Sequence, residues 1–275
     1  MDLNRILRGG AVIDLKFVLT ASDLVVGLTA NIEETSYTMS ETNNRPRKSR
    51  FRQFAGKIPF LAGLTAEELN EIAGVVHEAR FRKNQIILLE EDTQNYMYMI
   101  YSGKVKVMST RVTGEEQILA IHKRGDFFGE MALLDGKTTP ATVVAMEDAE
   151  VGLIERKDFQ ELLLSNERVL RAIISELCAR LRDAWLKTKI LSYGKAEQRI
   201  RWALELMSHR HGVKDQRGTL INLRLTHRDL ANYTALSRET VSRHLLRLQE
   251  DDEVEVLPNR IFLLKPSFYK KLRFL

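Results

Sequence analysis

Cysteine is almost absent from this sequence, and that absence restricts the kinds of site the chain can build. The 275 residues include one cysteine, Cys178. A disulfide framework needs at least two cysteines, and a cysteine-ligated zinc or iron–sulfur site needs several. The sequence therefore argues against all three, and it fits a reducing cytoplasm.

Long hydrophobic runs are also missing. The segment 9–30 is apolar in places, but Asp14, Lys16 and Asp23 interrupt it. It falls short of the roughly 20 apolar residues that a membrane span needs, so we predict a cytoplasmic protein without a membrane partner. The sequence also lacks a nucleophile–base set, a Walker loop and a metal-ligand spacing, so we predict that it is not an enzyme.

Positive charge is concentrated near the C-terminus. The net charge is +5, and residues 199–275 hold fifteen Lys and Arg against nine Asp and Glu. A local excess of this kind occurs in proteins that bind a polyanion. A basic surface without a partner is as common when charge is the only evidence. Charge alone therefore does not show that the chain binds a polyanion.

The length favours two domains, because single hydrophobic cores usually stop growing at about 250 to 300 residues. Residues 41–53 are polar and strongly basic, as in a linker or a disordered arm. We expect residues 1–53 to be an extension of the fold, either disordered or the product of a mis-assigned start codon.

The next hundred residues predict one short helix followed by β-structure. Thr65, with Glu68 three residues later, is typical of a helix N-cap. From about Arg82 to Glu155, short runs of β-branched and aromatic residues alternate with turn residues. This pattern predicts an all-β sandwich or roll.

Beyond Lys157 the apolar residues recur at helical spacing and form a heptad seam. Such a seam packs either against its own β-domain or against a second chain, and a parallel second stripe (Val169, Ile173, Cys178, Trp185) allows both. We interpret Cys178 as a small core or interface residue. If the seam packs against a second chain, the dimer-interface residues are Leu170, Ile174, Leu177, Leu181, Ala184 and Leu191, with Thr188 at the remaining seam position.

The most informative stretch is LTHRDLANYTALSRETVSRHLLRL. Thr226 with Asp229 resembles a capping box before a first short helix, and Ser237 is placed to cap a second helix. In the second helix, Val241 and Leu245 share one face while polar residues project elsewhere, as a DNA recognition helix requires. The alternative is an ordinary amphipathic surface helix with solvated charges.

The residues after this helix predict a wing. EDDEVEVLPNRIFLL contains two short strand patterns separated by a turn at Pro258 and Asn259. Arg260 would be exposed in that turn and able to contact phosphate, which positions a protein on DNA without reading its sequence.

From about Ile58 to the C-terminus, the chain resembles the cAMP receptor protein/FNR (Crp/Fnr) family of bacterial transcription regulators. The resemblance rests on GEMALLDGK, on AEQRIRWAL and on SRETVSRHLLRL. It implies a β-roll that senses a small-molecule effector, a dimerising helix, and a winged helix-turn-helix that binds a near-palindromic operator and contacts RNA polymerase. The DNA-binding candidates are Arg238, Glu239, Thr240, Ser242, Arg243, Arg228 and Arg260.

The resemblance also locates an effector pocket and argues against cAMP in it. Family members that bind cyclic nucleotides have Gly-Glu for the ribose, matched by Gly129 and Glu130, and then an Arg for the phosphate, where this sequence has Thr139. Losing that Arg should cost about 2 to 5 kcal/mol of ligand affinity. Lys137 is near enough in sequence to substitute as a point charge, but we interpret it as a turn residue. The pocket candidates are Gly129, Glu130, Met131, Ala132, Thr139, Ala184 and Trp185.

The same resemblance raises two other cofactors, an iron–sulfur cluster and haem. The iron–sulfur branch of the family needs a cysteine set that this chain lacks. Haem stays open, with His77 or His122 as an axial ligand, although a lone His is more often an ordinary core or surface residue. The effector is therefore unknown. Where family members commonly have Gly in the helix-turn-helix, the chain has Ala235, which would cost about 1 kcal/mol in a left-handed conformation.

Together these observations predict an α+β fold. Its parts are a β-roll resembling a cyclic-nucleotide-binding jelly roll over 54–165, a dimerisation helix over 166–193 and a winged helix-turn-helix over 194–275. The predicted function is transcription regulation by a homodimer on double-stranded DNA. The alternative is a ligand-binding module that regulates a partner protein.

Overall fold

The computed structural model describes residues 48–110 and 114–272. It opens with α1 (Lys48–Ala55), a 3-10 turn (Pro59–Leu61) and α2 (Ala66–Val75), whose capping box between Thr65 and Glu68 is confirmed. The linker prediction for 41–53 is wrong from Lys48 onwards, because α1 begins there and packs Phe51 into the core. The predicted extension 1–53 otherwise lies outside the described residues.

Two antiparallel sheets form the predicted β-roll, in the strand orders β1–β8–β3–β6 and β2–β7–β4–β5. Their inner faces share a core that includes Tyr98 and Ile100 of the first sheet and Val105 and Val143 of the second. The strands are β1 (His77–Phe81), β2 (Ile86–Leu88), β3 (Tyr96–Ser102), β4 (Lys104–Thr110), β5 (Glu116–Lys123), β6 (Phe127–Phe128), β7 (Thr142–Ala145) and β8 (Ala149–Glu155), with helix α3 (Glu130–Asp135) after β6.

The first strand begins earlier than the sequence pattern predicts. The helical spacing around α2 ends at Val75, and His77–Phe81 pairs antiparallel with β8. Only Phe81 of this strand is buried, so its residues show no clear alternation of apolar and polar side chains. The predicted start at Arg82 is therefore wrong.

A 26-residue helix, α4 (Glu167–Ser192), follows a helical segment of Arg156–Asp158 and a π-helix of Phe159–Leu164. Asn166 caps α4 by accepting hydrogen bonds from the N–H groups of Arg168 and Val169. The first part of the second stripe packs against the β-roll, which is one of the two contacts that the sequence left open, since Val169 and Ile173 join its core. The helix therefore starts as part of the β-roll domain.

Most of the predicted seam of α4 is accessible in the single chain. Ile174 and Leu181 are each 50% exposed, and Leu170, Leu177 and Leu191 are half-buried. Cys178 and Trp185 are exposed as well, so these two residues of the second stripe do not pack on the β-roll. Cys178 is not a core residue, and its place at an interface stays a prediction.

The C-terminal part has the winged-helix architecture. Its elements are α5 (Ala196–His211), β9 (Gly212–Asp215), β10 (Gly218–Ile221), α6 (His227–Thr234), α7 (Arg238–Glu250), β11 (Val254–Leu257), β12 (Ile261–Leu264) and α8 (Pro266–Leu272). The strands form one antiparallel sheet in the order β11–β12–β10–β9. Within the described ranges, no helix combines the length and the apolar character that crossing a membrane requires.

Candidate DNA-binding interface and effector site

Two short helices, α6 and α7, meet in the predicted helix-turn-helix. Thr226 and Asp229 form a capping box at the start of α6, and the Ser237 hydroxyl accepts the Thr240 N–H at the start of α7. Between them, Ala235 has φ 51°, in the left-handed region that favours glycine. The predicted caps are confirmed, and Ala235 adopts the left-handed conformation in which an L-residue is expected to be strained.

Helix α7 divides its side chains between core and solvent. Val241, Leu245 and Leu248 are buried in the domain core with Leu230 and Ala231 of α6. The domain thereby holds α7 by one face. Of the predicted DNA-binding residues, Arg238, Glu239, Arg243, Arg228 and Arg260 are exposed, and Thr240 and Ser242 are half-buried.

The wing turn lies between β11 and β12, where Leu257 pairs with Ile261. Asn259 and Arg260 both have positive φ, of 64° and 62°. The carbonyl oxygen of Arg260 accepts the N–H of Leu225 at 3.2 Å, which ties the turn to the segment just before α6. The predicted strands and the exposed Arg260 are confirmed, and the wing is anchored beside the two helices.

His227 is a site residue that sequence reasoning missed. Its Nδ1 lies 2.7 Å from the Oγ of Ser242, so the first residue of α6 is hydrogen-bonded to α7. Burial, together with Arg238 and Arg260, lowers the pKa of His227. The sequence gives no local signal for this contact, because the two residues are fifteen positions apart.

In the β-roll, Gly129 and Glu130 lie where β6 meets α3. Gly129 has φ 83°, and a Cβ there would come within 2.8 Å of the Tyr96 carbonyl oxygen, so only glycine fits. Glu130 is buried, and its Oε1 lies 3.1 Å from Nη1 of Arg180 on α4. The predicted ribose carboxylate is thus already paired with a cation that sequence reasoning missed.

Arg180 is held from several sides. Its guanidinium donates to the Phe127 carbonyl oxygen at 2.7 Å and lies over the Phe127 ring, 4.3 Å from the ring centre. Its Nε lies 3.2 Å from Oε1 of Glu176, also on α4. Two carboxylates therefore share one guanidinium, and the long helix is joined to the core of the predicted pocket.

Thr139 occupies the position predicted to face a ligand phosphate. It is buried, and its hydroxyl has no hydrogen-bond partner within the described residues. Its backbone N–H donates to the Asp92 carbonyl oxygen at 2.9 Å and is not available to a ligand. Pro140, the next residue, has no N–H. This segment offers an anion a single hydroxyl and no positive charge.

The other predicted pocket and ligand residues are dispersed. Ala132 is buried, whereas Met131, Ala184 and Trp185 are exposed. Lys137 is an exposed turn residue whose N–H bonds Asp135. The haem-ligand candidates lie in different sheets: His77 is in β1, and His122 is in β5, with Nδ1 3.8 Å from Asp126.

The β-roll and the helix-turn-helix touch directly. Lys106 of β4 lies 3.7 Å from Asp229, the carboxylate of the α6 capping box, and Asn232 of α6 donates to Glu116 of β5 at 3.2 Å. Ile118 of β5 packs into the core of the C-terminal domain. The sheet edge formed by β5 therefore supports the first helix of the DNA-binding motif.

Comparison with known proteins matches both parts. Residues 78–166 match the model of the cyclic nucleotide-binding domain, and residues 198–268 match that of the Crp-like helix-turn-helix domain. The cyclic AMP receptor protein of Thermus thermophilus is 32% identical over 216 residues, which cover 78% of this chain and 97% of that protein. The chain belongs to the Crp/Fnr family of transcription regulators.

A solved Crp/Fnr-type structure agrees with the fold. FixK2 from Bradyrhizobium japonicum superposes with a TM-score of 0.64 at 27% identity, over 73% of this chain and 97% of FixK2. The regulatory subunit of a cAMP-dependent protein kinase from Hypocrea atroviridis is 34% identical, but over only 46% of this chain and 26% of that subunit. The transcription regulator is therefore favoured over the module that regulates a partner protein.

Proposed function

We propose that this Crp/Fnr-family regulator acts in the cytoplasm as a homodimer on an inverted-repeat operator, contacts RNA polymerase and has no enzymatic activity. The observation that carries the proposal is the arrangement of α7. Its buried face is fixed in the domain core, while Arg238, Glu239 and Arg243 stand exposed near its capped N-terminus. Arg pairs with guanine and Glu with cytosine in the major groove.

The homodimer is supported by the apolar surface left on α4. Ile174, Leu181 and Trp185 are at least half exposed along one helix. Apolar residues repeating at heptad spacing bury themselves against a second helix in a coiled coil. A two-fold pair would present two α7 helices to half-sites about 34 Å apart along the DNA.

An effector in the β-roll has a direct structural route to the DNA-binding motif. Arg180 joins α4 to Glu130, and further along α4 Lys187 donates to the carbonyl oxygens of Ile118 and Leu119 in β5. A ligand that displaces Arg180 from Glu130 would release α4 at the pocket. We propose that this release changes the relative rotation of the two α7 helices.

We further propose that the effector is a small molecule other than cAMP. A cyclic phosphate needs a cation or several N–H groups around it, and the Thr139–Pro140 segment supplies neither. Arg180, a cation beside Glu130, is already shared between Glu130 and Glu176. An iron–sulfur cluster is disfavoured by the single cysteine. Haem stays a candidate through His77 or His122.

The test is binding of the purified protein to operators selected from a random DNA pool, at fixed salt, with and without saturating cAMP. We expect selection of an inverted repeat, an affinity that falls steeply with salt, and no response to cAMP. Selection of no sequence, combined with a shallow salt dependence, would overturn the DNA-binding proposal. A large gain of affinity with cAMP would overturn the effector proposal, and Arg180 would then be the first residue to mutate as a candidate phosphate partner.

A further inference from the structure

The contact between His227 and Ser242 joins the two helices of the motif at the surface proposed to face DNA. Nδ1 of His227 lies 2.7 Å from the Ser242 Oγ. Ser242 lies one residue before Arg243, which is exposed on α7. The imidazole therefore acts on a hydroxyl within the proposed base-reading surface.

A serine hydroxyl is by itself an ambiguous reader of base edges. It can donate one hydrogen or accept through its lone pairs, and its hydrogen rotates to suit the partner. For this reason serine contacts any base with little discrimination. A fixed neighbour that takes up either the donor or the acceptor role leaves only the other role for the base. A histidine nitrogen can do this, because it accepts when unprotonated and donates when protonated.

The surroundings of His227 lower its pKa and so favour the neutral ring. Burial is the main cause of this shift, and the charged groups that face the ring, Arg238 at the start of α7 and Arg260 in the wing, lower its pKa further. The next two residues of α6 are also charged. Arg228 is exposed, and the Asp229 carboxylate accepts hydrogen bonds in the capping box and pairs with Lys106. DNA phosphates close to these arginines would oppose their effect and favour protonation in the complex.

We propose that His227 is a positioning residue that sets which base edge Ser242 reads. When the neutral ring carries its proton on Nε2, Nδ1 accepts a hydrogen bond from the Ser242 hydroxyl. The Ser242 oxygen can then only accept a hydrogen bond, as from a base amino group. When a proton from solvent binds Nδ1, the imidazolium donates to Ser242, and the hydroxyl hydrogen is released to donate to a base oxygen or N7. The inference rests on the proposed base-reading role of Ser242.

The experiment is selection of operators from a pool with randomised half-sites, at pH 8 and at pH 5.5. For the unmodified protein we expect the preference at one base position per half-site to move from amino-bearing bases toward acceptor bases, by about five- to tenfold, as for one hydrogen bond. Ser242→Ala should lose the preference at that same position at both pH values. His227→Asn keeps a polar atom near the Nδ1 position but does not titrate, so its preference should not depend on pH.

The matched control is His244→Asn, which changes another half-buried histidine of the motif, on α7 itself. This variant should retain the pH-dependent preference of the unmodified protein. An unmodified protein that selects one clear operator with the same preferences at both pH values would overturn the inference. So would a pH response that persists in His227→Asn. An unmodified protein that selects no operator at either pH would instead refute the proposed function.

Discussion

The ammonium group of Lys187 lies 3.9 Å from the centre of the Tyr233 ring. Lys187 belongs to α4 and Tyr233 to α6, and the same ammonium donates to the carbonyl oxygens of Ile118 and Leu119 in β5, at 3.1 Å for Leu119. One buried lysine side chain thus joins the long helix, the β-roll and the helix-turn-helix. Hydrogen-bond acceptors and a ring face surround this amino group, and its burial lowers its pKa.

This environment predicts a pH-dependent stability. Burial lowers the pKa of Lys187 to about 7 from an ordinary value of 10.5. Between these values the unfolded chain binds a proton that the folded chain does not, so stability rises with pH by up to about 1.4 kcal/mol per unit. We expect Lys187→Met to flatten the rise in the free energy of unfolding between pH 7 and pH 9, measured by urea denaturation.

Lys189→Met is the matched control for this prediction, because Lys189 is exposed on the same helix. It should leave the rise unchanged. The window stops at pH 9 so that tyrosines, whose ordinary pKa is about 10, do not contribute. A Lys187→Met protein with the slope of the unmodified protein would contradict the assignment.

The parts of the fold that could be predicted from the sequence depend on residues close together in the chain. Thr65 with Glu68 and Thr226 with Asp229 are three positions apart, and both capping boxes formed as predicted. Ser237 bonds Thr240 over the same interval. Local hydrogen bonds of this kind need only a helix start, so a short pattern is sufficient to predict them.

The contacts that connect the domains could not be predicted in the same way. Arg180 meets Glu130 across fifty residues, and Lys187 meets Ile118 across sixty-nine. In each case the residue is a long basic side chain on a helix, and such a side chain is usually exposed to solvent. The sequence pattern therefore predicts exposure and not a buried contact. Only the packing of α4 on the β-roll distinguishes these residues from exposed Lys189.

The left-handed conformation of Ala235 predicts a stabilising substitution. An L-residue with φ 51° has its Cβ too close to the following carbonyl, whereas glycine has no such conflict. After allowing for the greater flexibility of glycine in the unfolded chain, we expect Ala235→Gly to add about 0.5 to 1 kcal/mol to the free energy of unfolding. Thermal and urea denaturation measure this directly.

Ala231→Gly is the control, and it should lower the free energy of unfolding where Ala235→Gly raises it. Ala231 is buried within α6, where glycine should cost about 1 kcal/mol or more. If both substitutions destabilised the protein by the same amount, the strain at Ala235 would not be real.

The exposed seam of α4 predicts that one charge can prevent dimerisation. Leu181 is half exposed in the single chain and lies in the middle of the seam. In a dimer, Leu181→Glu would place two carboxylates close together in an apolar contact, which costs several kcal/mol. We expect sedimentation to show monomers at micromolar concentration, and operator affinity to fall because one recognition helix binds alone.

The control for the seam is Arg182→Glu, at the next position of α4, where the side chain is exposed but does not belong to the heptad pattern. It should remain dimeric. A Leu181→Glu protein that sediments as a dimer would show that this face of α4 is not the subunit contact.

Arg243 and Arg260 predict two different kinds of loss on DNA. Arg243 is exposed on α7, where a guanidinium can bind guanine through two hydrogen bonds, whereas Arg260 lies in the wing turn and is suited to a phosphate. Arg243→Ala should cost about 1 to 3 kcal/mol on the selected operator and relax the preference at one base position. Arg260→Ala should weaken binding to all sequences alike and reduce the salt slope by about one.

Titrating both variants against the operator and single-base variants of it, at several salt concentrations, separates the two effects. If Arg243→Ala left the base preferences intact and changed only the salt slope, Arg243 would be a phosphate contact, and base recognition would have to rest on Arg238, Glu239 and Ser242.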